Sequence, residues 1–202
     1  FTQLSQWPSA MIFYVAFCAL FGAGPVAIWV WRQVRARPTE KLKRTSSQTV
    51  DLIQRLGHRP VGRGLRSAWT RLPRNETFQL DVNEKEITLP RLPSQLDGLS
   101  IVHLSDLHFT GTLAPAFYDE IVRIANHLDG DLVAVTGDLL DKRHCIDWIP
   151  HTLGKLRARH GVYVILGNHD LRVKDLPRIK RTLATSGLID LGGQILEIEI
   201  AG

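Results

Sequence analysis

Three apolar stretches of the chain end abruptly in polar residues. The first ends at Asp106 and His108, the second at Gly137 and Asp138, and the third at the Gly-Asn-His-Asp run of residues 167–170. Short apolar runs of this kind are typical of buried strands. Counted at their Asp, Asp and Asn, the polar ends lie 32 and 30 residues apart, which suits one strand-helix-strand unit each time. The pattern predicts parallel strands whose C-terminal ends meet at one edge of a sheet, where open α/β sheets place their ligand sites.

The segments around these strands carry the periodicities of further elements. An apolar side chain at every third or fourth position predicts helices over 113–128, 146–156 and 176–183. Partial alternation of apolar and polar residues over 77–89 predicts an edge strand or a hairpin. Strict alternation over 196–200 predicts a half-exposed strand.

Two shorter segments complete this pattern. Residues 48–56 have apolar side chains three apart and predict a short helix. Residues 188–191 predict a short strand, after which two consecutive glycines turn the chain.

The first 31 residues contain no Asp, Glu, Lys or Arg. Within them, residues 10–31 form an apolar run of 22 residues. A helix of that length is about 33 Å long and would cross a hydrocarbon core of roughly 30 Å. Trp29 and Trp31 close the run, as interfacial aromatic residues do, and Pro25 is expected to kink the helix. We predict a transmembrane helix over residues 1–31; a secretory signal peptide and a buried soluble helix are the alternatives.

The charges are concentrated in the segment that follows this run. Residues 32–74 carry twelve Lys or Arg against two acidic side chains, whereas residues 75–202 carry a net charge of −5. The basic flank places that side of the helix, and the domain beyond it, in the cytoplasm by the positive-inside rule. The flank is expected to contact anionic lipid headgroups or to be solvated. We interpret residues 32–76 as a basic juxtamembrane connector and expect no nucleic-acid partner.

The polar ends of the three strands offer a mixed set of oxygen and nitrogen donors. Asp106 and His108 lie two residues apart on a strand and therefore point to the same face, so both could reach one ion. Asp138 and Asn168 would approach from the neighbouring strands. Such a set suits Mn, Fe or Zn ions rather than a thiolate site.

The ordered motifs D-x-H, G-D and G-N-H-D resemble the calcineurin-like metallophosphoesterase family, and within it the branch with an N-terminal membrane segment. The resemblance covers residues 77–202, which we expect to be the N-terminal part of the phosphoesterase domain. It implies an α/β fold in which a metallophosphoesterase-type β-sandwich, incomplete here, is flanked by helices.

The family resemblance implies a role for each matching residue. Asp106 and His108 would bind the first of two divalent metal ions, Asp138 would bridge both ions, and Asn168 would bind the second. His169 would not be a ligand but would stabilise charge on the scissile phosphate or protonate the leaving oxygen. Asp170 would orient His169 by accepting a hydrogen bond from its ring.

The implied reaction is hydrolysis of a phosphoester, phosphodiester or pyrophosphate bond by a metal-bridging hydroxide. The membrane anchor suggests that the phosphoester substrate is lipid-linked. The alternative function is a membrane-tethered, non-catalytic binding or scaffold protein built on a phosphoesterase fold.

One feature of the family is missing from the sequence. Members complete the metal site with later histidines, including a Gly-His-x-His turn, whereas the one Gly-His pair here is Gly57-His58 in the basic connector. We interpret the chain as C-terminally truncated and expect little phosphoesterase activity from it alone.

Other polar residues near the motifs receive structural interpretations. Asp141 is expected to cap a turn, and His103 to be a core residue or a neighbour of the ligands. Four histidines without partner spacing are expected to lie on the surface: His127, His144, His151 and His160.

Overall fold

The computed structural model describes residues 8–35, 42–62 and 65–200 of the 202-residue chain. The chain divides into two compact units. The first comprises Phe1–Thr45 with Lys85–Leu89, and the second comprises Ser46–Glu84 with Pro90–Gly202.

A long apolar helix dominates the first unit. Helix α1 spans Ser9–Arg35 and contains Pro25. Its segment Met11–Arg32, 22 residues long, is apolar enough to cross a membrane, and none of it is buried inside the protein. The helix therefore fits the sequence prediction of a membrane span.

The basic connector holds regular structure that its sequence pattern does not indicate. Strand β1, Leu42–Asp51, pairs with strand β2, Gln79–Ile87, in a two-stranded sheet. The strand predicted over 77–89 is confirmed, but its partner was expected to be connector. Nearly all side chains of β1 are exposed, so neither face shows the apolar alternation by which a half-buried strand is recognised.

Helix α2 is shorter than the helix predicted over 48–56. It spans Leu52–Leu56 because Asp51 caps its first turn, accepting hydrogen bonds from the amides of Ile53 and Gln54. Gly57, at φ 71°, ends it in the left-handed conformation that glycine adopts without strain. A 3₁₀ helix follows at Leu65–Arg71.

The three strands with polar ends form the predicted parallel sheet. Strand β3 is Ile101–Ser105, β4 is Leu132–Thr136, β5 is Val162–Ile165 and β6 is Ile189–Asp190, in that spatial order. All three pairings are parallel, and the register places Ser105 beside Thr136 and Thr136 beside Ile165. The three strands therefore end level with one another, as the motif spacing predicted.

The helices around this sheet agree in part with the sequence pattern. Helix α3 spans Pro115–His127, α4 Asn168–Arg172 and α5 Leu176–Thr185. The helix predicted over 146–156 is instead two 3₁₀ helices, Arg143–His151 and Leu153–Lys155. Pro150 disfavours an α-helix here, because the proline ring clashes with the carbonyl four residues earlier in an α-helix.

The core lies between one face of the sheet and these helices. Val133, Val135 and Val164 are buried on that face, with Ile179 and Leu183 of α5 opposite them in the same cluster. Ile101 and Ile165 alternate with them and are exposed to 58% and 47%. Residues 196–200 form no strand, in contrast to the prediction, and no described strand lies beyond β6 to pair with them.

A smaller cluster attaches the start of the second unit to α3. Leu52 and Phe78 are buried against Ile121 and Ile124. An isolated bridge also pairs Val61 with Leu113, in the loop that leads from the end of β3 to α3.

Candidate metal centre

The chain leaves β3 and β4 through residues in the left-handed backbone region. Asp106 and His108 have φ of 55° and 44°, and Gly137 and Asp138 have φ of 74° and 50°. This region costs an L-residue other than glycine roughly 1–2 kcal/mol, least for Asp and Asn. Such residues concentrate at functional sites, where the surrounding structure holds them in place.

Backbone hydrogen bonds beyond the strands hold these two turns together. The His108 amide donates to the Asp138 carbonyl at 2.9 Å, and the Phe109 amide donates to the Leu139 carbonyl at 2.8 Å. The amide of Asp106 donates to the Gly137 carbonyl at 3.3 Å. The pairing of β3 with β4 therefore continues into the polar ends and fixes the backbones of Asp106, His108 and Asp138 relative to one another.

The third turn approaches so closely that it requires glycine. A Cβ atom on Gly167 would lie 2.2 Å from Oδ1 and 2.4 Å from the backbone nitrogen of Asp138. The amide of the next but one residue, His169, donates to Asp138 Oδ1 at 2.9 Å. Asp138 is therefore held by the turn that follows β5 as well as by its own.

These contacts bring three of the four predicted ligands together with Asp141 and His169 in two overlapping groups. Ligating atoms of Asp106, His108 and Asp138 lie within 4.8 Å of one another, and so do those of His108, Asp141 and His169. His108 belongs to both groups. The side chain of Asp106 also accepts a hydrogen bond from the Ser105 hydroxyl.

Asp141 connects the two imidazoles of this centre. Its Oδ1 lies 2.5 Å from His169 Nδ1, and its Oδ2 lies 3.1 Å from His108 Nδ1. The two rings meet edge to face, with centroids 4.7 Å apart. A carboxylate between two Nδ1 atoms places the ring protons on those atoms, which leaves each Nε2 available to an ion or a substrate.

The charge state of Asp141 follows from the same contacts. Burial opposes ionisation, but the hydrogen bond from His169 and the charges of His108 and His169 outweigh it and lower the pKa of the Asp141 carboxyl. Burial raises the pKa of the neighbouring Cys145 thiol to about 11, and Asp141 adds to this effect. The carboxylate is therefore stabilised in its charged form, whereas the thiol remains protonated.

The structure gives Asp170 a different partner from the one that the resemblance implies. Its carboxylate is fully buried, and its oxygens accept hydrogen bonds from the amides of Leu140 at 2.7 Å and Gly167 at 2.8 Å. The expected hydrogen bond from the His169 ring goes instead to Asp141. Asp170 fastens the turn after β5 to the loop after β4.

Sequence reasoning underestimated Asp141 and could have found it. Asp141 was expected to cap a turn, with a direct catalytic role as the lesser alternative, and the structure places it in contact with both imidazoles. The signal is its position three residues after Asp138, immediately beyond the glycine turn. His169 and Asp170 are consecutive in α4, and consecutive helical side chains do not face each other.

The remaining predicted residues lie as follows. Asn168 is the exposed first residue of α4, between Gly167 and His169, so it adjoins Asp138; its role as a ligand stays a prediction. His103 is exposed and not a core residue, and its Nε2 lies 2.6 Å from Thr136 Oγ1. His127, His144 and His151 are exposed as expected, and His160 is half-buried.

The donors of this edge fit divalent cations. Three carboxylates and two imidazoles converge, and Arg172 alone among the described cationic side chains lies against them, with Nη1 3.3 Å from His169 Nε2. Oxygen and imidazole donors in this proportion suit borderline and hard metal ions. The left-handed turns at Asp106, His108 and Asp138 indicate that the backbone is arranged around the site.

The comparison with protein families agrees with this geometry. Residues 99–196, which contain all four strands of the parallel sheet and the candidate metal centre, match the calcineurin-like phosphoesterase family. The similarity to this family therefore covers the part of the chain that carries the metal centre.

Several relatives share the segment. The chain is 32% identical over 137 residues to the uncharacterized metallophosphoesterase YkoQ of Bacillus subtilis, which covers 61% of this chain and 50% of that protein. It is 31% identical over 122 residues to the transmembrane protein with metallophosphoesterase domain of Bos taurus. This match covers 60% of this chain and 28% of that protein. It is 34% identical over 93 residues to the UDP-2,3-diacylglucosamine pyrophosphatase LpxG of Chlamydia trachomatis. This match covers 45% of this chain and 28% of that protein.

The chain spans half or less of the length of these relatives. No solved structure matches it.

Proposed function

We propose that the protein is a membrane-anchored, metal-dependent phosphoesterase. The observation that carries this proposal is the convergence of Asp106, His108, Asp138, Asp141 and His169 at the C-terminal edge of one parallel sheet. No other described group of residues combines carboxylates, imidazoles and strained turns in this way.

The chain would hold two divalent metal ions, with Mn, Fe or Zn as the identities that the donors favour. Asp106 and His108 would hold one ion, Asn168 the other, and Asp138 both. When bound, such ions lower the pKa of a water molecule towards neutrality and offset the negative charge of a phosphate.

His169 would act on the phosphate rather than bind a metal ion. Its Nδ1 faces Asp141, so the carboxylate fixes the orientation of the ring and the direction of Nε2. A protonated Nε2 would donate to a phosphate oxygen or to the leaving oxygen.

Arg172 supports an anionic ligand at this position. Its Nη1 lies 3.3 Å from His169 Nε2, so a positively charged donor stands beside the ring nitrogen that would face a phosphate. A phosphate oxygen would accept hydrogen bonds from both.

The substrate class follows from the anchor and from one relative. A helix suited to crossing a membrane precedes the metal centre in the chain, and LpxG is by name a pyrophosphatase of a diacylated sugar nucleotide. We therefore propose a lipid-linked phosphodiester or pyrophosphate as the substrate. The basic flank after α1 favours a cytoplasmic position for the catalytic domain.

The proposal is tested by a hydrolysis panel on the full-length protein. Aryl phosphomonoesters, phosphodiesters and lipid pyrophosphates would be offered with Mn, Fe, Zn or Mg, beside an Asp138→Asn control. We expect metal-dependent turnover that the substitution abolishes, with the lipid pyrophosphate preferred. Metal binding without turnover of any of these compounds would favour the scaffold function instead.

A further inference from the structure

The second unit contains a cavity of about 270 Å³ that shares no residue with the metal centre. It lies where the N-terminus of α2, the end of the Leu65–Arg71 helix and the start of β2 meet. Three arginines line it: Arg59, Arg71 and Arg74.

Contacts inside the protein hold the first of these arginines in place. Arg59 Nη1 donates to the Thr70 carbonyl at 2.9 Å, and its guanidinium carbon lies 6.0 Å from the centroid of the buried Phe78 ring. Thr70 is itself buried, and its hydroxyl donates to the Ser67 carbonyl at 2.6 Å. One wall of the cavity is therefore positively charged and preformed.

The other two arginines lack a compensating acid. Within the part of the chain that the structure describes, neither Arg71 nor Arg74 has a carboxylate within 4.0 Å. Asp51 lines the cavity too, but its Oδ1 caps α2 through the amides of Ile53 and Gln54. The cavity therefore carries three guanidinium groups against one carboxylate, and a phosphate group would complement this excess of positive charge.

Apolar side chains stand exposed beside these arginines. Trp69 and Leu72 are 69% and 52% exposed and flank Arg71 within four consecutive residues. Exposing such apolar side chains to water is unfavourable, whereas the headgroup region of a bilayer accommodates tryptophan and aliphatic side chains next to basic ones.

The candidate membrane span lies close to this surface in the sequence. Asp51, the first residue that lines the cavity, follows the end of α1 by 16 residues. The segment between α1 and β2 carries a large excess of positive charge, which anionic lipids attract.

We propose that this cavity is a docking site for the phosphate headgroup of an anionic membrane lipid, with Trp69 and Leu72 in the headgroup region. Docking would also position the metal centre. The Gly62 amide donates to the Thr112 carbonyl and the Ala114 amide donates to the Pro60 carbonyl, so the segment after Arg59 is fastened to the loop that follows His108. A docked lipid would therefore hold the metal-bearing edge near the bilayer surface.

The test is hydrogen exchange on the full chain in nanodiscs. Exchange of the amides of residues 65–79 would be compared in phosphatidylcholine discs and in discs of equal phosphatidylcholine and phosphatidylglycerol. The variant Arg71→Gln/Arg74→Gln would be compared with Arg91→Gln/Arg157→Gln, two exposed arginines for which the structure gives no ion pair. Both double variants lose the same net charge.

We expect slower exchange of this segment only in the phosphatidylglycerol discs. The ratio of docked to undocked protein should fall roughly 30-fold in Arg71→Gln/Arg74→Gln and change little in the control variant. Equal loss of protection in the two double variants would overturn the proposed docking site, because it would show that net charge alone attracts the protein to the lipid. Equal protection in both kinds of disc would also overturn it.

Two further arms separate the lipid from other sources of phosphate. Inorganic phosphate or a single-stranded oligonucleotide would be added to the phosphatidylcholine discs. Full protection by either one would overturn the assignment to a lipid headgroup. Loss of protection in Trp69→Ala, with Arg71 and Arg74 intact, would support insertion at the bilayer surface.

Discussion

The core face of the parallel sheet and its polar edge are built from the same strands in opposite ways. On the core face, Val133, Val135 and Val164 are almost fully buried within regular strands. At the edge, immediately after β3 and β4, Asp106 and Asp138 are fully or partly exposed and have left-handed backbones.

Residues that stabilise the fold and residues that form the candidate metal centre therefore lie only a few positions apart in the chain. The buried valines contribute hydrophobic free energy, about 25 cal/mol for each Å² of apolar surface removed from water. The polar turns store backbone strain and bring carboxylates together, and both cost free energy. Changes at the edge should therefore remove activity while leaving the fold intact, and changes in the core should do the reverse.

The largest effect is expected for Asp138→Asn. Asparagine keeps an oxygen that can accept from the His169 amide and tolerates the left-handed backbone, so the fold should persist. The substitution removes the anion that would bridge two cations, so turnover of the full-length protein should fall by 10³-fold or more and both ions should bind weakly. Metal analysis and thermal melting of the same sample check this. A variant that is inactive because it is unfolded would contradict the contrast.

In the core, Leu183→Ala should reduce stability and leave turnover unchanged. Leu183 is fully buried in the main cluster, and such truncations destabilise by about 2–5 kcal/mol. The turnover of each folded, metal-loaded molecule should not change. Leu128→Ala is the matched control, because Leu128 is 51% exposed and its truncation should cost less than about 0.5 kcal/mol. Urea titration beside activity normalised to metal content distinguishes the two effects.

His169→Ala tests whether His169 acts on the phosphate or binds a metal ion. The change should leave metal content nearly intact and reduce turnover by on the order of 10²-fold, the range for groups that transfer a proton or stabilise charge. Because His169 also lies within 4.8 Å of His108 and Asp141, a metal-free variant would show that it is a ligand.

The contrast also explains what the sequence could predict. Strands and polar ends are local patterns, an apolar run followed by a turn, and parallel topology brings the ends together without further information. The position of Asp141, three residues after Asp138, places it near the site, but its contact with His169 depends on how the turns after β4 and β5 are oriented, which no local pattern specifies. Strand β1 was missed because it buries almost nothing, and the 3₁₀ helices around Pro150 were missed because their apolar spacing is that of an α-helix.

Asp170 lies at the edge in sequence but behaves as a core residue. Asp170→Asn would replace one acceptor by a donor facing the amide of Leu140 or Gly167, at a fully buried position. We expect a loss of about 2 kcal/mol in the free energy of unfolding. If Asp170 instead oriented His169, stability would persist and the pH profile of turnover would shift. Measuring both on one preparation decides between these roles.

The smallest effect concerns Glu120, a buried carboxylate of the helical layer that lies outside the metal centre. Hydrogen bonds from Arg123 lower the pKa of Glu120; burial opposes this, and the charges of Arg123 and Arg55 assist it. The folded state therefore binds fewer protons than the unfolded state just below the ordinary value of 4.5. This contribution to stability is complete above that pH and is lost as the pH falls through the pKa of the folded state.

Glu120→Gln should therefore destabilise the chain by about 1 kcal/mol at neutral pH. The difference from wild type should vanish in acid, where the carboxyl is protonated and resembles the amide. Subtracting the two urea titrations at each pH cancels the titration of Asp141, whose pKa is lowered in both proteins. Asp129→Asn is the control, because its ion pair with Arg159 is exposed and contributes little at any pH. A Glu120→Gln difference that stayed constant from neutral to acid pH would show that packing, and not the charge of Glu120, stabilises the helical layer.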